Sequence, residues 1–409
     1  MTLLLVLVAC EDKFEVTHRY SRPYALAKTY PIYLDTRDIL VDIRVTPSIQ
    51  FDEAFKIASN DKYIFVGEMK KGIHVYKRTD EAHATPLCFI ECKYIKAFDV
   101  VDNLLYCNNF IDLLVIDVEN PQQARILHRQ WHYFNNIGYG IPFINNDGIL
   151  FYEIAYKQVI MTGIETDTEP APDFSEYDKL YNNFIIREIP DTLQLDQPYV
   201  GFANVEGYMY TLGWDNLMVC SYTSTDYGFP FTISPAPSYF NSYYYANMKP
   251  FDNLQYKDGH IFIHGFNGGL ICLDYNEPNR QYNDMYNKVK DVAFVKHPEN
   301  AFVFITPYQI RALFVDEYYN PTNSIGDNYS SNRTSLVSVH DENILTLRNQ
   351  AITLYSIYLG AWGYTLQQGK IYSFGGASML KEGNRLIVAG QQGLKFYDIS
   401  NLENIVPIP

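Results

Sequence analysis

"DLLVIDVENP", residues 112–121, is an apolar run that ends in aspartate and an Asn-Pro turn. A short continuous apolar run bounded by turn formers reads as a strand buried on both faces. Nearly the same phrase returns as "GLICLDYNEP" at 269–278 and as "GLKFYDISNL" at 393–402. The repeating unit is longer than the phrase. It runs apolar strand, tight Asp/Asn/Gly turn, apolar strand, short turn, apolar strand ending near Asp, then an Asn/Pro-rich loop.

Clear copies of the unit cover 97–121, 254–278 and 378–401, and weaker ones cover 55–78, 200–222, 292–316 and 335–357. Their first turns fall at Asn60-Asp61, Asp102-Asn103, Glu206-Gly207, Asp258-Gly259, Glu299-Asn300, Glu342-Asn343 and Gly383-Asn384. Most intervals are about 40 residues, the period of a propeller or solenoid. Asp, Asn and Gly supply the positive φ that tight hairpins need. Four strands in about 40 residues make one propeller blade, and ring closure leaves only short edges. The expected fold is therefore all-β, a β-propeller of four-stranded antiparallel blades. Seven copies predict seven blades. One interval is too long, and "GIPFINNDGILFYEIAYKQVIMTGIE" (140–165) leaves an eighth open as the alternative. The acidic "TDTEPAPDFSEYDK" (166–179) reads as a surface loop. The expected domains are a leader over 1–10, a linker over 11–36, and one propeller over 37–409 with an elaborated segment at 135–200. "ILVDIRV" (39–45) is expected to close the ring against the last blade, since the terminal "IVPIP" is short.

The chain has 409 residues, 47% hydrophobic and 16% aromatic, with 36 Tyr against 3 Trp. That is ample for a packed core and argues against disorder. The formal charge is −15 and the pI about 5.0, which disfavours a nucleic-acid partner. No apolar run reaches the roughly 18 residues of a membrane helix. The leader "MTLLLVLVAC" is apolar from Leu3 to Ala9 and stops at Cys10. Leu7-Val8-Ala9-Cys10 fits a bacterial lipobox, in which Cys10 receives the lipid.

The phrases "LLVIDVENP" and "GLKFYDISN" resemble the LVIVD-repeat proteins, β-propellers common among Bacteroidetes lipoproteins. The resemblance covers residues 37–405, and "RDILVDIRV" and "GLKFYDISN" fall where that family has them. Glu11-Asp12-Lys13 after Cys10 resemble the surface-export signal of such lipoproteins. The resemblance implies a propeller held to the outer membrane by an N-terminal lipid, surface-exposed or periplasmic. It implies no defined activity.

Motifs of chemistry are sparse. Cys88 and Cys92 sit four apart, about 13 Å along a strand, too far for a disulfide. Cys107, Cys220 and Cys272 also read as small buried hydrophobes. His128/His132 and His260/His264 have the same spacing and cannot share an ion on a strand. No nucleophile elbow, zinc-protease motif or phosphate loop is present. No catalytic residue, metal or cofactor is assigned.

The turn between the second and third strands of each repeat is distinctive. These turns share one rim and would bring together Asn109, Phe110, Trp214, Asp215, Phe266, Asn267, Tyr308, Arg348, Gln391 and Gln392. The Tyr-rich connection "SYFNSYYYANM" (238–248) adds Tyr243, Tyr244 and Tyr245 to the same rim. Amides and flat aromatics suit a neutral polyhydroxylated ligand or a protein partner. The expected function is a lipid-anchored envelope module that binds or scaffolds, with a glycan or an envelope protein as partner. The alternatives are a carbohydrate-active enzyme with its site in the propeller mouth, and a purely structural envelope protein.

Overall fold

The computed structural model describes residues 21–35, 37, 42–50, 54–131, 133–134, 143–144, 150–181, 184–186, 200–212, 217–222, 231–235, 251, 253–257, 259–265, 269–277, 280–284, 288–296, 299–306, 308–328, 334–340, 343–348, 351–360, 363–373, 375–390 and 393–409. The chain divides into two compact units. The smaller takes Met1–Asp38 and Tyr139–Leu195, and the larger takes Ile39–Gly138 and Asp196–Pro409.

In the smaller unit, Ser21–Asp35 pairs antiparallel along its whole length with Leu150–Thr166, from Ser21↔Thr166 to Asp35↔Phe151. Phe143–Ile144 adds to the far side of Leu150–Thr166, and Phe184–Ile186 pairs parallel with Ser21–Asp35. A short helix, Ser175–Tyr181, is tied on by Asp178, which accepts from Lys28 Nζ at 2.5 Å and Tyr30 Oη at 2.6 Å. The linker expected over 11–36 is corrected here: residues 21–35 are a strand, and 11–20 lie outside the described residues. The 140–165 segment supplies two of the four strands of this sheet. The expected loop at 166–179 holds the start of the helix.

The larger unit contains seven antiparallel sheets among the described residues. In six of them chain-consecutive strands lie side by side, and in the first they do so from Ala54 to Glu91. The second sheet is Phe98–Val101, Leu104–Asn109, Asp112–Asp117 and Arg125–Gln130, and the seventh is Gly376–Glu382, Arg385–Gly390, Gly393–Asp398 and Val406–Pro407. Each of the seven sequence copies supplies the first three strands of one sheet. The first sheet has a fifth strand, Arg44–Pro47, outside Ala84–Glu91. This corrects the expected closure. The 44–47 strand stays on the first sheet, and the short C-terminal end completes the seventh through Tyr397↔Pro407 and Asp398↔Val406.

The opening phrase is apolar throughout because its strand is covered on both faces. Leu114 and Ile116 enter a core shared with Phe65 and Val75 of the first sheet, whereas Leu113 and Val115 enter one shared with Phe202 and Met209 of the third. Likewise Ile271 and Leu273 face the third sheet, and Leu270 and Cys272 face the fifth. The same logic joins the fifth to the sixth and the sixth to the seventh. One further core packs Ile387, Ala389 and Phe396 of the seventh sheet against Ile57, Ile64 and Val66 of the first. Burying a Leu, Ile or Phe side chain contributes about 1.5–3 kcal/mol, so these inter-sheet cores dominate the stability of the unit.

The aspartate that ends the phrase has its own task. Asp274 Oδ1 accepts from the backbone of Asn276 at 2.9 Å and Glu277 at 3.0 Å. Asp117 accepts from Glu119 N at 3.0 Å and Asp398 from Ser400 N at 2.8 Å. An Asx turn thus folds the chain out of the third strand in these three copies.

Candidate functional site

The first strand of each of the seven sheets borders one cavity of about 710 Å³. Each of these strands is the edge of its sheet, so the backbone along this edge pairs with no further strand among the described residues. The border includes Phe55–Ser59, Lys96–Ala97, Asp99–Val100, Val200–Phe202, Asn204, Asn253–Lys257, Val289–Asp291, Ser338 and Ser378–Lys381. Close approach between the strands demands small residues in places. A Cβ on Gly201 would stand 2.7 Å from Leu254 Cβ and 2.8 Å from its backbone nitrogen.

The cavity is rich in lysine. Lys56, Lys96, Lys257, Lys290 and Lys381 border it against only two carboxylates, Asp99 and Asp291. Lys56 Nζ lies 2.9 Å from Asp99 Oδ2 and donates to the Phe202 carbonyl at 3.2 Å. Lys257 Nζ lies 2.9 Å from Asp291 Oδ1 and donates to the Val292 carbonyl at 3.1 Å. Asp291 is fully buried. Burial holds the Lys290 ammonium below its ordinary pKa. Lys381 has no ion-pair partner among the described residues. Asn204 donates to the Val100 carbonyl at 3.1 Å, and the buried Gln255 Oε1 accepts no hydrogen bond among the described residues.

The residues expected on the rim fare differently. Asn109 is buried, its Nδ2 donating to the Lys93 carbonyl at 2.7 Å and its Oδ1 accepting from Arg129 at 2.8 Å. Arg129 also pairs with buried Asp112 at 3.0 Å, so Asn109 belongs to an internal polar network and not to a mouth. Phe110 sits at φ 57° with its ring buried beside Tyr94, which removes it from the rim as well. Tyr308 is 70% exposed at its turn, where Thr306 Oγ1 accepts from the Tyr308 and Gln309 amides. Arg348 ends the strand Asn343–Arg348, opposite Ala351, and its side chain lies outside the described residues. Trp214, Asp215, Phe266, Asn267, Gln391, Gln392, Tyr243, Tyr244, Tyr245 and Cys10 also lie outside them.

The cavity lysines escaped the sequence reading, which weighed turns and not first strands. Their signal is present: "FKIAS", "LQYKD" and "MLKEG" each place a lysine in the first strand shortly before the first turn. The two histidines of "HIFIH" are structural. His260 Nε2 meets Tyr319 Oη at 2.6 Å, and Tyr319 donates to Asp274 at 3.0 Å. His264 Nδ1 lies 3.4 Å from the Val289 carbonyl. Cys88, Cys92, Cys107 and Cys272 are free and buried. Among the described residues no group of three or more His, Cys, Asp or Glu is arranged to hold a metal.

No protein-family model matches the sequence, and no curated protein matches it. Among solved structures, a chain of the mitotic checkpoint complex aligns at 13% identity and a TM-score of 0.48, over 97% of this chain and 98% of that one. BamB from Moraxella catarrhalis aligns at 9% identity and a TM-score of 0.44, over 84% of this chain and 85% of its own. The WD40 beta propeller domain of Doa1 aligns at 7% and 0.41, over 88% and 95%. All three scores are below 0.5, and the assignment to an all-β, propeller-type architecture rests on the sheets and their packing.

Proposed function

We propose that the chain is a closed, seven-bladed β-propeller acting as a binding module of the cell envelope, with its ligand taken in the central cavity. The observation that carries this reading is that the first strands of all seven sheets border a single cavity of about 710 Å³, the size range of small-molecule sites. The cyclic order of the inter-sheet cores supports closure, since the seventh sheet packs on the first as each packs on the next. Both cavity carboxylates are held by lysine ammonium groups. That arrangement favours binding over glycoside hydrolysis, which needs a carboxylate pair flanking the scissile bond.

The lipobox at Leu7–Cys10 supports anchoring through a lipid on Cys10, in the outer membrane. In the parent organism, Cys10→Ala should move the protein from the membrane fraction to the soluble fraction; a mutant still sedimenting with membranes contradicts the anchor. For the binding reading, purified protein lacking residues 1–10 is passed over a glycan array. Retention of a defined glycan class is the expected result. A second surface is favoured by Tyr308, an aromatic 70% exposed at a turn tip. Tyrosine is enriched at protein–protein contacts, and a scaffold role for an envelope protein partner follows if Tyr308→Ala abolishes co-purification of a partner while glycan retention stays intact.

A further inference from the structure

The chain carries a formal charge of −15, yet five lysines and two aspartates border the cavity, a formal excess of three positive charges. A concave wall of low dielectric focuses such a field and draws in ligands of opposite sign. The lysines come from five of the seven sheets: Lys56 from the first, Lys96 from the loop entering the second, Lys257 from the fourth, Lys290 from the loop entering the fifth and Lys381 from the seventh. The charge is therefore distributed around the cavity and not confined to one strand. A structural explanation covers Lys56 and Lys257, whose ammonium groups tie neighbouring first strands together through Asp99, Asp291 and two backbone carbonyls. It does not reach Lys381, which makes no ion pair among the described residues and has no aspartate of its own in the border.

A second observation narrows the ligand. Gln255 is a half-buried residue of the cavity border, and its Oε1, enclosed in this conformation and reached by a ligand only on rotation of the side-chain amide, accepts no hydrogen bond among the described residues. A buried acceptor without a donor is costly. A simple anion such as phosphate offers lysine an acceptor and offers Gln255 nothing. A ligand with both anionic groups and hydroxyl donors serves both. The amide and hydroxyl groups of Asn253, Ser338 and Ser378 along the same border extend that polar lining.

We infer that the cavity binds an acidic sugar, a mono- or short oligosaccharide bearing carboxylates, with Lys381 and Lys290 meeting the acid groups and Gln255 a ring hydroxyl. This rests on the cavity being the binding site, and its test separates the two claims. Titration calorimetry of the protein lacking residues 1–10 is run against tri-galacturonic acid, glucuronic acid, maltotriose and inorganic phosphate. Tri-galacturonic acid should bind, with affinity falling as sodium chloride is raised, because screening weakens charge pairing. Lys381→Met should weaken it about tenfold or more, the scale of one charge-assisted hydrogen bond. Lys77→Met, on an exposed strand position outside the cavity, should change nothing and serves as the control. Gln255→Leu should weaken the sugar and leave any phosphate binding unaltered. Melting curves identify any variant that has lost its fold, and Lys381→Gln then replaces Lys381→Met. Equal binding of maltotriose, or uronate binding indifferent to salt and to Lys381, overturns the acidic-sugar assignment while leaving a glycan-binding cavity. Phosphate binding without uronate binding overturns the sugar and leaves only an anion site. Failure of all four probes overturns the acidic-sugar assignment, and capture of a protein partner through Tyr308 then also overturns the cavity as the ligand site.

Discussion

At the scale of the residue, the repeated aspartate is a turn-maker, and its cost of removal depends on what else it holds. Asp274 accepts from two backbone amides and from Tyr319 Oη, which in turn meets His260, all within the protein. Asp398 accepts from Ser400, whose hydrogen bonds hold its carboxyl below the usual carboxylate range, in a solvent-facing position. Asp274→Ala leaves the buried Tyr319 hydroxyl without its acceptor and should destabilise by about 1–3 kcal/mol, read as a lower urea midpoint at unchanged slope. Asp398→Ala should shift the midpoint far less, because water replaces the lost acceptor. The aspartates were legible in the sequence as strand ends, since their spacing repeats. Asn109 and Phe110 were not legible as interior residues. A turn read from sequence has an outside, but the segment around Lys93 and Tyr94 folds over this one and takes its hydrogen bonds and its ring contact.

At the scale of the element, the third strands could be read because burial on both faces writes an unbroken apolar run, which polar periodicity cannot imitate. Ser21–Asp35 could not. Two prolines interrupt "SRPYALAKTYPIYLD", and its partner begins more than a hundred residues downstream. Nothing local reveals such a pairing. The first strands were legible as strands but not as the wall of a cavity, because only the packing of seven of them together makes one. Gly201 shows how tight that packing is. A methyl group there meets Leu254 at its Cβ and its backbone nitrogen, both nearer than van der Waals contact. Since backbone cannot swing aside as a side-chain tip does, Gly201→Ala should cost about 1–3 kcal/mol, the usual penalty of overpacking. Gly207→Ala, where a Cβ meets nothing but φ is +87°, tests strain without crowding. Equal urea midpoints for Gly201→Ala and the parent protein would refute the close approach.

At the scale of the whole molecule, the junction that matters most is the one where the seventh sheet packs on the first. No backbone ladder crosses that junction among the described residues, because each sheet is built from its own stretch of chain. Side chains hold it: the core of Ile387, Ala389 and Phe396 on Ile57, Ile64 and Val66, and Glu382, which accepts from Ser59 Oγ and Arg78 Nη2, each at 2.5 Å. Glu382→Ala leaves the largely buried Arg78 guanidinium without its carboxylate. It should cost about 1–3 kcal/mol, and hydrogen exchange should speed first in the amides of 54–59 and 376–382. Uniform exchange across all seven sheets would show that the junction is no weaker than the rest. The arrangement also orders events during synthesis. As the chain leaves the ribosome, each sheet of the larger unit can assemble once its own strands are out, and each newcomer covers one flank of its predecessor. The first sheet is the exception. Its other flank, carrying Ile57, Ile64 and Val66, finds its cover only when residues 385–396 arrive, after the five intervening sheets have been made. While the second to sixth sheets are being made, the nascent protein carries one bare greasy face, which is where a holding chaperone would grip and where an early stop codon would leave a product prone to aggregate.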